Sequence, residues 1–351
     1  MNVPARGSEE ITPPSSFRGP PLTPPPTDEK EARDTSNILR QIAKHRSGNT
    51  GQTTHKVDKR VWAAVSSLLL RDDKLQLDYF PSIECLVLRM PTKVHEQFSR
   101  SLTGRITEQL RLLSHGSGSA ADFAKDIRDV GSATIRPRDP EYGTHNPDSS
   151  FQHLKSPSPT VVIEVAHSQK GEKLRTLAEE YILGSDLEIG VVVGVDIEYS
   201  KSKRATFSVW RARLQGPEDD RAWVVEPTVA NQIFRHDDGN PSIGQNLGLH
   251  LRLEDFADQK TCQQFKDIDG DIFVSCDELY QYLEEAETIA KIAESTKPER
   301  NPRLKKRRRT QTPEEQLDDR DEDAYAEDEA HVSKRRDLDD TSYKESSPEC
   351  T

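Results

Sequence analysis

The chain has 351 residues, of which 32% are hydrophobic and 31% are charged, and its formal net charge is −12. Its N-terminus lacks the apolar segment of a signal peptide, and no apolar run approaches the length of about 18 residues that a membrane helix needs. The four cysteines, Cys85, Cys262, Cys276 and Cys350, show no CxxC or CxH spacing, which argues against a zinc site and a disulfide framework. We therefore expect a soluble, intracellular protein that does not contact a membrane.

Polar residues gather at both ends of the chain and predict disordered tails. Residues 1–34 are rich in proline and serine, as in "GPPLTPPPTDEK", and hold too little apolar surface to offset the entropy of ordering. Residues 296–351 alternate blocks of charge and contain few aliphatic residues. We expect a single α/β domain over residues 35–295, with its core at about residues 80–255.

The first half of this domain is predicted to be mostly helical. "EARDTSNILRQIAKHR" and "HKVDKRVWAAVSSLLLRD" show helical periodicity, and the short apolar run "IECLVLRM" predicts a strand. A long amphipathic helix is predicted for "PTKVHEQFSRSLTGRITEQLRLL", because apolar residues recur there at every fourth position.

The second half predicts a sheet. Strands are expected at Ser149–His153, "TVVIEVAHS", "EIGVVVGVDIEY", "ATFSVWRAR" and "RAWVVEP", and the last helix at "SCDELYQYLEEAETIAKIAE". The helix "KGEKLRTLAEEYILGSD" lies between the second and third of these strands, and Gly184 is placed to cap it. A strand, a helix and a strand in this order predict a parallel pair. The expected fold is a mixed central sheet flanked by helices on both faces.

Two acids stand out in this pattern. Glu164 interrupts the β-branched strand "VVIEV", where an unpaired carboxylate would be costly to bury, and Asp148 comes directly before the preceding strand. Acids on neighbouring strands can hold Mg²⁺ or Mn²⁺ through their oxygens. Lys170 and Lys173 begin the next helix, and their long stems can bring an ammonium group back to the carboxylates. Such a set suits metal-dependent phosphodiester hydrolysis.

With these residues the chain resembles the PD-(D/E)xK, or restriction-endonuclease-like, nucleases over roughly His95 to Trp210. It is also similar to a group of fungal proteins that carry "PD", "VVIEV", "SQ", "YILGSD" and "VVVG" blocks in this order. The resemblance implies that Asp148 and Glu164 bind the metal and that nucleic acid, with DNA expected, is the substrate. The family's strand lysine falls on Ala166, so a lysine that has moved to the helix is implied, Lys173 first and Lys170 second.

The resemblance also implies further residues at the site, and it leaves a second interpretation of the function open. Gln169 of the "SQ" block would bond a metal-bound water or a phosphate, and Glu96 would add an acid from the helix before the sheet, with Glu108 the next choice. Because alanine at position 166 can neither bind phosphate nor position water, the alternative is a catalytically degenerate fold that binds nucleic acid or protein.

Three further features have competing explanations. His145, His153 and His167 flank the acids, and either a chemical role or an ordinary buried or surface position fits them. "DIDGDIFVSCDE", Asp267 to Glu278, resembles a calcium loop, but Ile272 replaces the glycine of its sharp turn, and Ser275 with Glu278 also fits a helix capping box.

A basic cluster stands in the C-terminal tail. It consists of Lys305, Lys306, Arg307, Arg308 and Arg309 and predicts nuclear localisation, with an import receptor as partner. A merely solvated run of charge is the alternative, and the acidic block that follows argues against tight DNA binding by the tail alone.

Overall fold

The computed structural model describes residues 34–43, 52–70, 76–89, 91–166, 172–198, 202–244 and 246–295. All of them lie in one compact unit, Met1–Thr296. The predicted tails fall outside these ranges, apart from position 34 at the start of the first helix. None of the helices in these ranges is both long and apolar enough to cross a membrane.

The described residues form twelve strands and seven α-helices. In chain order the strands are β1 (Thr53–Lys56), β2 (Gln76–Phe80), β3 (Cys85–Arg89), β4 (Ile127–Asp129), β5 (Thr144–His145), β6 (Ser149–His153), β7 (Val161–Ala166), β8 (Val191–Ile197), β9 (Ala205–Gln215), β10 (Ala222–Arg235), β11 (Gly248–Arg252) and β12 (Asp271–Ser275). The helices are α1 (34–43), α2 (Lys59–Leu69), α3 (Lys93–Ser114), α4 (Ser119–Ala124), α5 (Glu172–Gly184), α6 (Gln259–Cys262) and α7 (Cys276–Ser295).

The central sheet has six strands in the order β10-β9-β8-β7-β6-β4. Only β7 and β8 are parallel, and α5 connects them, as the sequence predicted. The neighbouring pairs β6–β7, β4–β6, β8–β9 and β9–β10 are antiparallel. The predicted mixed α/β fold is therefore confirmed.

Helices cover both faces of this sheet because the side chains of its inner strands alternate between two cores. On β7, Val161, Ile163 and Val165 belong to one core, which also contains the buried faces of α3 and α7. Val162 points to the other core and packs with α5. Glu164 lies on this second face, next to the buried residues of α5.

A second sheet, in the order β1-β3-β2-β5, brings further polar residues towards the central sheet. Its strands β2 and β3 pack through Leu77, Leu86 and Leu88 against α1 and α2. Asp78 and Arg89 belong to these strands, and both take part in the site described below. Only β3 of this sheet was predicted, because β1 and β5 are very short and β2 is interrupted by an aspartate.

Two predictions about helix ends have different outcomes. The capping box of α7 is confirmed: the Glu278 carboxylate accepts from the Ser275 backbone N–H at 2.9 Å, and the Ser275 hydroxyl accepts from the Glu278 N–H at 3.1 Å. Glu278 is thus engaged in ending β12 and starting α7, which weakens the calcium-loop interpretation. The cap at Gly184 is wrong, because Gly184 is the last residue of α5 and the positive φ angles follow at Asp186 and Leu187.

Candidate active site

The two acids singled out in the sequence lie side by side. Ser149 pairs with Ile163 in the antiparallel β6–β7 ladder, so Asp148 and Glu164 are neighbours across the strands. The backbone N–H of Val165 donates to Asp148 Oδ2 at 2.6 Å and fixes that carboxylate. Both acidic side chains are only 1% exposed. Such burial requires compensating partners.

The main compensating partner is an arginine from the second sheet. Arg89 Nη1 donates to Glu164 Oε2 at 3.0 Å and lies 3.7 Å from Asp148 Oδ1. Its Nη2 donates to Asp78 Oδ1 at 3.3 Å and to the Asn146 carbonyl oxygen at 2.5 Å. The guanidinium group is therefore held between three carboxylates at the junction of the two sheets.

A histidine and a tyrosine complete the contacts of the acid pair. His95 lies near the start of α3, and its Nε2 is 3.0 Å from Asp148 Oδ2. Tyr181, on the buried face of α5, donates its hydroxyl hydrogen to Glu164 Oε1 at 2.6 Å. Asp148 thus has a partner on α3, and Glu164 has one on α5.

A second layer of buried charge supports the arginine. His145 Nδ1 lies 3.3 Å from Asp78 Oδ1, and its Nε2 lies 3.5 Å from Glu180 Oε2. Burial alone would lower the pKa of His145, but the two carboxylates outweigh it and raise that pKa. Glu180 also accepts from the Gly143 N–H at 2.5 Å. His145 is therefore buried rather than on the surface, and its two acidic neighbours favour its charged form.

The environment pushes the pKa values of the two acids apart. Burial raises the pKa of Glu164 to about 8, although Arg89 acts against that rise. For Asp148 burial is outweighed by His95 and Arg89, and the pKa is lowered. The pKa of His95 is raised in return, because the Asp148 carboxylate overcomes the effect of its burial. Near neutral pH, Asp148 is ionised and Glu164 is mostly protonated.

One oxygen of this cluster lacks a hydrogen bond. Asp148 Oδ1 is buried and unsatisfied, since Arg89 Nη1 at 3.7 Å is too distant for a hydrogen bond. Within the described ranges no group of three or more His, Cys, Asp or Glu side chains is arranged to hold a metal ion. Mg²⁺, however, commonly takes one or two carboxylates and completes its shell with water and phosphate oxygens. A free carboxylate oxygen beside a second acid fits such a ligand set.

A pocket of about 230 Å³ opens beside Glu164. Arg89, His95 and Ala166 line it together with the apolar side chains of Phe80, Val87, Leu174 and Leu177. Lys173 also lines the pocket, but it is exposed. Of Arg89 and Lys173, Arg89 is therefore the one that forms ion pairs with the acids.

The other predicted site residues are spread over several places. Lys170, Gln169 and His167 lie outside the described residues. Glu96 is exposed and lines a separate groove on the α3 side, which Asp148 also borders. Glu108 pairs with Arg105 on the surface of α3.

The third flanking histidine, His153, has no contact with the acids. It is buried between the rings of Phe123 and Phe265, and burial lowers its pKa. A structural explanation therefore fits His153 better than a role in the chemistry of the site.

Sequence reasoning missed Arg89, His95, Asp78 and Tyr181. Arg89 ends a short strand 75 residues before Glu164, and no local pattern connects two residues so far apart. Tyr181 did carry a signal, because a tyrosine in an apolar helical stripe needs a hydrogen-bond partner for its hydroxyl group once it is buried.

Comparison with known proteins adds no family to this description. No protein-family model matches the chain, and a search of curated proteins found no match.

Proposed function

We propose that the protein hydrolyses phosphodiester bonds of nucleic acid, with DNA the expected substrate, at a metal site of the PD-(D/E)xK type. Asp148 and Glu164 would hold Mg²⁺ or Mn²⁺. The observation that carries the proposal is the convergence of two buried carboxylates, one of which, Asp148, has an unsatisfied oxygen, Oδ1. Glu164 lines the pocket, and Asp148 borders the separate groove on the α3 side. A buried carboxylate oxygen without a partner is costly, and a bound cation would remove that cost.

The bound metal would lower the pKa of a coordinated water and offset negative charge on the phosphate. The protein's own residues would orient the carboxylates. His95 and the Val165 N–H hold Asp148 Oδ2, which leaves Oδ1 without a hydrogen bond, and Tyr181 holds Glu164 Oε1. Lys173, at the pocket wall, would meet the substrate further from the acids.

A catalytically degenerate fold that binds nucleic acid or protein is the second candidate. It is favoured by Arg89, whose charge already compensates the acids without a metal, and by Ala166, which supplies no cation from the strand. Under this alternative the pocket remains a binding site, and no metal changes its ligand affinity.

Calorimetry with Mn²⁺ tests the metal site directly. We expect the wild type to bind Mn²⁺ and both Asp148→Asn and Glu164→Gln to lose that binding, because each replaces a carboxyl group that can ionise and bind the metal with a neutral amide of the same shape. The matched control is Asp122→Asn, which changes an exposed acid on α4 and should bind as the wild type does. Mn²⁺ binding by either site variant with the affinity of the wild type would contradict the assignment.

A cleavage assay separates the two candidates. Single-stranded and double-stranded DNA and RNA are incubated with the purified protein and Mg²⁺ or Mn²⁺. Products that vanish with EDTA and with Asp148→Asn support hydrolysis, whereas binding without cleavage under any metal supports the degenerate fold.

A nuclear location would suit a nuclease that acts on DNA. We propose it from the basic cluster at residues 305–309, which lies outside the described residues.

A further inference from the structure

The strand position that would supply a cation to this site holds an alanine. Ala166 follows Glu164 by two residues on β7, on the same face of the sheet. Its methyl group offers no charge and no hydrogen bond. A phosphate that approaches Asp148 and Glu164 meets two acids, so a positive group must come from another element.

We propose that Arg89 is the phosphate-binding cation of this site and that its ligand is a nucleic-acid phosphodiester. The proposal rests on the proposed function, in that it assumes nucleic acid enters this pocket. Arg89 lines the pocket together with Glu164 and Ala166, and its Nη1 lies 3.0 Å from Glu164 Oε2 and 3.7 Å from Asp148 Oδ1. The positive charge of Arg89 therefore lies between the two acids, on the side of the pocket where Ala166 supplies no charge.

Arg89 retains donor capacity for such a ligand. A guanidinium group has five N–H donors. Its Nη2 makes two hydrogen bonds, to Asp78 and Asn146, whereas Nη1 makes one, to Glu164, among the described residues. One hydrogen of Nη1 thus remains for a phosphate oxygen, and the side chain is 17% exposed, so the pocket gives access to it. Planar guanidinium groups match phosphate oxygens well.

The contacts that hold Arg89 in place make it better suited than Lys173 to bind a phosphate. Asp78 holds the guanidinium group from behind, through Nη2 at 3.3 Å and an ion pair to Nε at 3.0 Å. A cation fixed in place before the ligand arrives costs little reorganisation when charge develops on the phosphate. Lys173 is exposed and would lose both hydration and side-chain freedom on approaching the acids. Asp78 is accordingly a positioning residue.

The test measures binding of a short fluorescein-labelled oligothymidylate in EDTA, so that neither metal nor cleavage contributes. Each phosphate contact of a single strand adds about 0.7 to the slope of log affinity against log salt concentration. We expect Arg89→Gln to reduce that slope by about 0.7. The matched control, Arg175→Gln, removes an exposed arginine of α5 that pairs with Glu179, and it should leave the slope unchanged.

A second variant distinguishes the loss of a phosphate contact from a failure to fold. Arg89→Gln removes the guanidinium group that three buried carboxylates share, whereas the double variant Arg89→Gln with Asp78→Asn removes opposite charges together and should fold. Thermal unfolding checks each variant before binding is measured. A folded variant of either kind that keeps the wild-type salt slope overturns the assignment of Arg89.

Cleavage provides an independent readout that separates this inference from the proposed function. If the wild type cleaves with Mn²⁺, Arg89→Gln should slow cleavage by about a hundredfold or more, and Lys173→Ala should slow it less. Equal rates for Arg89→Gln and wild type would overturn the role of Arg89 in catalysis. If the wild type never cleaves, hydrolysis fails, and the EDTA binding result alone decides whether Arg89 contacts phosphate.

Discussion

Among the single residues of the site, Glu164 should make metal binding depend on pH, because its pKa is raised. The raised pKa of about 8 means that its carboxyl group carries a proton near neutral pH, and metal ligands must lose their protons. Mn²⁺ affinity should therefore rise by about tenfold per pH unit up to about pH 8 and level off above it. Calorimetry across this range checks the profile, and a flat profile would contradict it.

Stability should change with pH in the opposite direction. The folded pKa of Glu164 lies above its ordinary value of 4.5, so the folded state keeps a proton that the unfolded chain has lost. The contribution of Glu164 to the free energy of unfolding is therefore fully present below pH 4.5 and is lost as the pH rises through about 8. Unfolding in urea without metal measures this decline, and Glu164→Gln should remove it.

Tyr181→Phe tests the hydrogen bond that favours the ionised form of Glu164. That bond lowers the pKa of Glu164, so its loss should raise the pKa further and move the Mn²⁺ profile to higher pH. Phenylalanine keeps the packing of the ring, which separates this effect from a cavity. A profile that stays in place, in a variant whose fold is intact, would show that Tyr181 does not tune this acid.

The site residues differ in how visible they are in the sequence. Asp148 and Glu164 were predictable as neighbours, because a carboxylate within a β-branched strand is an anomaly that local patterns expose. Their chemical roles remain predictions. Arg89 was not predictable, because its partners lie on another sheet, and the choice between Arg89 and Lys173 depends on how the two sheets pack.

Among the strands and helices, the packing of the Trp210 ring of β9 over β8 depends on a glycine. A Cβ atom built at Gly194 would lie 2.5 Å from Trp210 Cζ3 and 3.3 Å from Leu174 Cδ1. Gly194 pairs with Glu164 across the parallel strands. A movement of Trp210 or of α5 to make room for a Cβ atom would therefore occur next to Glu164. The valine-rich strand was predicted from its composition, but the need for this glycine comes from the packing of α5 and β9.

Gly194→Ala should destabilise the protein by about 1–3 kcal/mol through overpacking. Gly104→Ala is the matched control, since no atom lies within 4 Å of its added Cβ, and alanine inside α3 should stabilise by about 0.5–1 kcal/mol. Urea unfolding of both variants measures the difference. Equal stability of the two variants would show that Trp210 moves aside without cost.

Helices and central strands were predicted well because they are long and periodic, as α3, α5, α7, β7 and β8 show. Several of the shorter strands were missed. β5 has two residues, and the pairing of β11 with β12 joins segments whose own patterns are weak. Such strands are defined by their partners rather than by their composition.

At the scale of the whole molecule, the basic cluster at residues 305–309 predicts nuclear import. A fluorescent fusion truncated at Pro298 should lose its nuclear enrichment, because the cluster is removed while the α/β domain is kept. Neutralising Lys334, Arg335 and Arg336, a second basic run in the same tail, is the control and should leave enrichment unchanged. Nuclear enrichment of the truncated fusion would remove this reading.

The division of the site between two sheets also affects how the protein folds. Arg89 and Glu164 are separated by 75 residues, and contacts between distant parts of a chain form slowly because a long loop must close first. The acids can come together as soon as β6 pairs with β7, but the arginine joins them only when the second sheet docks. If Arg89 binds phosphate as proposed, anion binding should therefore return during refolding after most of the secondary structure, and it would report the final docking step.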